Sequence, residues 1–331
     1  MTATCPSRPW KRARSKLHSA FVFVALLAST ACATPQPHWQ PSPQPEAWSA
    51  DRESTFFLQM ADTQFGMWAT SKLHLLLGWS GNPNSFERET VNMELAIAHA
   101  NRLQPAFVVV CGDLVNLAGH AGQIAEFERI ANGLDPNIPL HLVAGNHDVE
   151  NTPTPDSLAA YRKTFGPDWY TFRHDGVFAI VLNSQLIHSP QRVPDAAAAQ
   201  LEWLRGALSD ARRAGEPHVL VFQHHPFFLK RPDEPDQYFN IPLERRTRYL
   251  ELFAAAGVRA IFAGHYHRNA GGWAGGVEMV TTGPVGRPLG DDPSGFRIVR
   301  IGEHGLDHAY FALDAIPDRL GPSDTFGWPC L

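Results

Sequence analysis

Cysteine is scarce in this chain, four residues in 331 against sixteen histidines. That count argues against a disulfide framework or a thiolate metal site and favours imidazole chemistry. Cys111 and Cys330 allow one bridge and require none. Charge is thin too, at 18% of residues with 44% hydrophobic, which excludes disorder driven by charge. No apolar run reaches the ~20 residues of a spanning helix. No basic patch and no internal repeat interrupts the body of the chain. What remains is globular composition, long enough for one large α/β domain or two small ones.

Residues 1–33 read as an export signal. Arg8, Lys11, Arg12, Arg14 and Lys16 precede the apolar run "AFVFVALLA" and the small-residue stretch "STACA". Two processing routes fit: cleavage after Ala33, or lipidation of Cys32 in "LLASTAC", where Ser29 departs from the bulky aliphatic of a lipobox. Lipidated Cys32 is then the one membrane attachment expected of an exported, periplasmic or membrane-anchored protein. Without this leader the chain holds 23 basic and 33 acidic residues, a net charge of −10. Such a body is a poor nucleic-acid binder. Residues 34–54 follow as a Pro/Gln-rich linker, then a folded domain over 55–315 and a tail over 316–331. Nothing fixes an oligomeric state.

Within the domain, apolar runs alternate with amphipathic ones. "TFFLQM", "AFVVVCGD", "LHLVAGNHD", "HVLVFQHH" and "VRAIFAGHYH" predict strands, and "WYTFR" with "VFAIVLNS" predicts a hairpin. Helices are predicted over Ser85–Leu103 with Ser85 as N-cap, over Ile124–Ala131, over Ala196–Ala214 and across "LERRTRYLELFAAAG". The C-terminal third is strand-rich. This ordering predicts an α/β sandwich with a mixed sheet and a second sheet added late.

Five predicted strands end in polar clusters: "ADTQ", "CGDL", "AGNHD", "FQHH" and "AGHYH". Binding sites of open α/β sheets form beyond the carboxyl ends of the strands. Each cluster alone reads as a turn or a solvated loop; five together bring oxygen and imidazole ligands to one rim.

That series resembles the calcineurin-like metallophosphoesterase superfamily. The words "ADTQFG", "AGNHDVENTPT", "LNSQ", "FQHHPFFL", "GHYHRNAGG" and "LGDDPSGFRIV" resemble, more narrowly, the calcineurin-like phosphoesterase domain-containing protein 1 family, also called complete S-transactivated protein 1. The resemblance runs from about Phe56 to about Asp314. It implies an α/β/β/α sandwich of two mixed sheets flanked by helices. It also implies two divalent ions, manganese first, with iron, magnesium or zinc as alternatives. Asp62, Gln64, Asp113 and His267 would hold one; Asp113, Asn146, His224 and His265 the other. His147 would be the catalytic imidazole and Asp148 the carboxylate that orients it. The implied reaction is hydrolysis of phosphate monoesters, on a phosphorylated small molecule or a phosphoprotein of the serine/threonine type. Diester or nucleotide pyrophosphate hydrolysis and a non-catalytic, metal-bearing surface protein are the alternatives.

The residues support these roles on their own terms. A shared carboxylate can bridge two cations that clamp a phosphoryl oxygen and acidify a water. An imidazole beside them can protonate the leaving oxygen. Gln64 stands where the superfamily pattern has His. Its carbonyl is a neutral but harder donor, giving one site three oxygens and one nitrogen, which favours Mn²⁺ or Mg²⁺ over Zn²⁺. Alternation along a strand selects His224 over His225 as the ligand. Arg268 and Asn269 follow the last ligand and are candidate phosphate contacts. Asn116, Asn151 and Asn183 read as turn formers. His99, His120, His141 and His218 read as surface or packing residues.

Overall fold

The computed structural model describes residues 55–69, 82, 84–174, 176–302 and 305–320. The export signal, the linker, most of Met67–Asn84, Cys330 and the end of the tail lie outside the described residues.

In chain order the first elements are β1 (Thr55–Met60), α1 (Glu87–Leu103), β2 (Val108–Val110), α2 (Ala121–Ala131), β3 (Leu140–Leu142), α3 (Asn146–Val149) and α4 (Pro155–Phe165). A hairpin of β4 (Tyr170–His174) and β5 (Val177–Val181) comes next, then α5 (Gln185–His188) and α6 (Pro194–Ala214). The chain continues through β6 (His218–Phe222), α7 (Leu243–Ala256), β7 (Val258–Ala263), β8 (Ala270–Ala274), β9 (Val277–Thr281), β10 (Gly295–Gly302) and β11 (Gly305–Ala312).

Two sheets result. The first runs β11-β10-β1-β2-β3 and the second β4-β5-β6-β7-β9-β8. β1, β2 and β3 are parallel, with Leu58 opposite Val108 and Val108 opposite Leu140. β5, β6, β7 and β9 are parallel as well. Strands such as β2, β5 and β6 are buried along their whole length, because each is covered on both faces. Between the sheets lie Phe57, Phe107, Val109, Ala179, Val181, Phe222, Phe262 and Val299. Phe57 is stacked on Phe107 at 4.6 Å and meets Phe222 and Phe262 edge-on. Outside the first sheet pack α1, α2 and α4 through residues such as Met93, Phe127 and Tyr161. Outside the second pack α6 and α7 through Leu204, Leu208, Leu250 and Phe253. These are the four layers that the resemblance implied.

Two expectations differ from what forms. The late strands do not build a second sheet of their own. β10 and β11 extend the first sheet antiparallel to β1, while β8 and β9 widen the second. Strand count along the chain cannot say which edge a strand joins. At the start of α1 the N-cap is Phe86, without a side-chain cap. Ser85 instead donates its hydroxyl to Glu87 at 2.7 Å.

Candidate metal centre

Because the strands that carry them are parallel within each sheet, the carboxyl ends of β1, β2, β3, β6 and β7 reach one rim. There the chain turns sharply. Among the described residues seven non-glycine positions have φ above zero, and five are Asp62 (51°), Gln64 (38°), Asp113 (51°), His265 (65°) and His267 (53°). Each costs roughly 1–3 kcal/mol and survives only where the surroundings hold it. Two glycines let the turns nest. A Cβ on Gly145 would lie 2.1 Å from the Asp113 nitrogen, and one on Gly264 would lie 2.5 Å from Asp62 Oδ2.

Asp62, Asp113, His224, His265 and His267 are all buried. His267 Nε2 lies 3.3 Å from Asp62 Oδ1, and His224 Nε2 lies 3.3 Å from Asp113 Oδ2 and 3.0 Å from Asn146 Oδ1. Ligand atoms of Asp62, Asp113 and His267 gather within 4.8 Å of one another, and so do those of His224, His225 and His265. Asp62 also accepts the backbone N–H of His265, and Asp113 that of His147 at 2.8 Å, so each carboxylate ties two strand ends together.

One rule orients the imidazoles: each donates one ring nitrogen to a backbone carbonyl. His224 Nδ1 donates to Cys111 O at 2.8 Å, His265 Nε2 to Tyr238 O at 3.2 Å, His267 Nδ1 to Arg287 O, and His147 Nδ1 to Asn116 O at 2.8 Å. The other nitrogen of His224, His265 and His267 is thereby left to offer its lone pair to a cation, the arrangement that metal-binding histidines require. The amides are oriented by other amides. Asn146 Nδ2 donates to Asn151 Oδ1 at 3.0 Å, and Gln64 Nε2 donates to Asn116 Oδ1 at 3.3 Å.

The donor set fits divalent cations. The Gln64 carbonyl oxygen is buried with no hydrogen-bond partner, an arrangement that costs about 1–3 kcal/mol unless something positive faces it. Burial alone would raise the Asp113 carboxyl, yet the imidazoles of His224 and His147 hold it below the usual carboxylate range. Burial alone would lower His224, yet Asp113 pushes it up to about 9. His267 is raised against burial in the same way by Asp62. Beside the two carboxylates the field favours positive charge, whereas burial and the neighbouring imidazoles lower His265 and His225.

Several sequence-based assignments change. Asp148 does not orient His147: its carboxylate accepts the backbone N–H groups of Leu114, Val115 and Gly145. Burial and the nearby Asp113 push that carboxyl up to about 7. Asp148 therefore clamps the β2 and β3 ends together, and the carbonyl of Asn116 orients His147. Asn269 is held by the protein itself, donating to Asp292 and accepting from Gly283 and Arg297 through its side-chain oxygen. Arg268 lies over the Tyr266 ring at 5.0 Å and donates to Leu289 O. His225 is not turned away from the cluster. β6 ends at Phe222, strand alternation lapses there, and the His225 ring lies 3.9 Å from His265 with Nδ1 beside Ser184 Oγ. Asn116 and Asn151, read as turn formers, are the residues that aim Gln64, His147 and Asn146. Their place two or three residues past a ligand word was the available signal.

Buried carboxylates, oriented amides and carbonyl-held imidazoles on the rim of a two-sheet sandwich define a metal-dependent hydrolase of phosphoester bonds. The calcineurin-like phosphoesterase family matches residues 57–269. The chain belongs to that family. It is 39% identical to a serine/threonine-protein phosphatase CPPED1 of Danio rerio over 270 residues, covering 80% of this chain and 86% of the relative. The Homo sapiens protein of the same name is 37% identical over 288 residues, covering 82% and 90%. Among solved structures, a dimetal phosphatase from Danio rerio matches with TM-score 0.56 at 16% identity, covering 78% of this chain and 96% of that one. A purple acid phosphatase of Lupinus luteus matches with TM-score 0.59 at 14% identity, covering 81% and 53%. These two likenesses concern the fold.

Proposed function

We propose that the chain hydrolyses phosphate monoesters with two divalent ions, manganese foremost, and that its substrates are phosphoserine or phosphothreonine proteins or small phosphate esters. The observation that carries this reading is the pairing of the two ligand groups across Asp113, with His147 beside them on its own carbonyl. The name shared by relatives at 36–39% identity supports the substrate class.

Asp62, Gln64, Asp113 and His267 would hold one ion, and Asp113, Asn146, His224 and His265 the other. When bound, such a pair supplies a charge clamp on phosphoryl oxygens and a water of lowered pKa. The protein supplies the rest. Asn116 O keeps His147 Nδ1 occupied, so the protonated ring has Nε2 as the nitrogen that hands its proton to the leaving oxygen, and the neutral ring left behind keeps its Nδ1 proton on Asn116 O. The partnerless Gln64 oxygen makes the first donor set three oxygens and one nitrogen, which supports Mn²⁺ or Mg²⁺ over Zn²⁺. The N-terminal pattern supports export, with Cys32 lipidated or the chain cut after Ala33; the mass of the mature N-terminus decides between them.

Protein purified without added metal is assayed ion by ion on 4-nitrophenyl phosphate, bis-4-nitrophenyl phosphate and ADP-ribose. Monoester turnover restored best by Mn²⁺ is expected, and turnover of the diester or pyrophosphate alone overturns the reading. His147→Ala is expected to lose ~10²–10⁴ in kcat with metal content unchanged.

A further inference from the structure

Loop 229–242 delivers an exposed tyrosine to the metal centre. Glu234 organises the loop, accepting N–H groups from Leu229, Lys230 and Arg231 and the Asn240 amide at 2.8–3.2 Å. Arg246, fully buried on α7, donates to the carbonyls of Pro232, Glu234 and Ile241. Asn240 Oδ1 in turn accepts from Gln237 N at 3.0 Å. A loop held at this many points presents its tip in one geometry.

At that tip Tyr238 is fastened to two candidate ligands. Its carbonyl takes His265 Nε2, its ring lies 5.0 Å from the His265 ring, and its hydroxyl lies beside the Asn146 side chain. The same hydroxyl lies within the field of both Asp113 and Asp62. Yet Tyr238 is 57% exposed, so it faces solvent while its polar end reaches the ligand cluster. The Asn146 oxygen faces His224 and its nitrogen donates to Asn151 Oδ1, so both ends of that amide have partners of their own. The phenol O–H is then free to donate outward.

We infer that Tyr238 is a substrate-contacting residue: its hydroxyl donates a hydrogen bond to the phosphoryl group of the ester held at the metal centre. The inference rests on the phosphoesterase reading above and adds a donor from outside the ligand words. A phenol contributes no charge to the site and leaves the ligand count alone. It stabilises the phosphoryl oxygens as negative charge builds on them.

The test compares Mn²⁺-loaded wild type with Tyr238→Phe, which keeps the carbonyl on His265 and the ring beside it. Kinetics on 4-nitrophenyl phosphate are measured together with calorimetric binding of inorganic phosphate, metal content and Tm. Expected are a kcat/KM lower by roughly 10- to 100-fold, the scale of one hydrogen bond to a charged group, and weaker phosphate binding. Metal content and Tm stay unchanged. Wild-type kinetics and phosphate affinity in the variant overturn the inference and leave the proposed function standing. Loss of metal from the variant also overturns it, since Tyr238 would then act only through Asn146. If the wild type turns over no phosphate ester, the proposed function fails, and the phosphate calorimetry still decides the role of Tyr238.

Discussion

On β3 the His141 ring lies flat on Phe172, 3.5 Å away and 6° from parallel, with Phe107 edge-on to it. Burial, and then the neighbouring His174, bring its pKa down to about 4 from an ordinary 6.5. The folded protein thus resists a proton that the unfolded chain accepts, and stability falls as pH drops from about 6.5 to about 4. His141→Phe, which keeps a flat ring on Phe172, is expected to flatten the urea midpoint over that window; an unchanged slope would assign the acid sensitivity elsewhere. The residue scale is also where sequence reading reached furthest and stopped most abruptly. Asp62, Asp113, His265 and His267 are legible because each ends a strand word. Tyr238 is not, since it lies in a Pro- and Asp-rich loop and only a fold brings its hydroxyl to Asn146. Asp148 was misread because adjacency to His147 in sequence implies nothing about which way its carboxylate turns.

Among the elements, α7 does more than cover the second sheet. Arg246 near its start serves three loop carbonyls with one planar fork, which a lysine ammonium cannot reproduce. Arg246→Lys is expected to lower the unfolding free energy measured in urea by roughly 1–3 kcal/mol, the cost of buried carbonyls left unmet. Proteolytic nicking between residues 230 and 242 should begin before global unfolding, and kcat should fall with it. An intact loop under protease would show that Glu234 alone suffices. Helix and strand identity along this stretch was readable from apolar periodicity. The order within the loop was not, because it depends on a glutamate meeting backbone N–H groups.

For the molecule as a whole, the rim stores strain and unmatched charge that bound cations relieve. Chelation is expected to lower Tm, and Mn²⁺ at a hundredfold excess over its Kd to restore about 2.7 kcal/mol, roughly 5 °C for a domain of this size. A Tm indifferent to chelator would mean that the native rim does not bind ions. The four-layer arrangement was foreseeable from the strand-end words. The distribution of β8 to β11 over both sheets was not, since edge choice is a property of the assembled core. The carbonyls that aim the imidazoles carry a last consequence. Every amino acid has one, so Cys111, Asn116, Tyr238 and Arg287 can each mutate without unhooking the ring they hold. The histidine half of the centre is in this sense written in main chain and tolerant of drift. Gln64 and Asn146 hang from the side chains of Asn116 and Asn151, and there a single substitution can release a ligand.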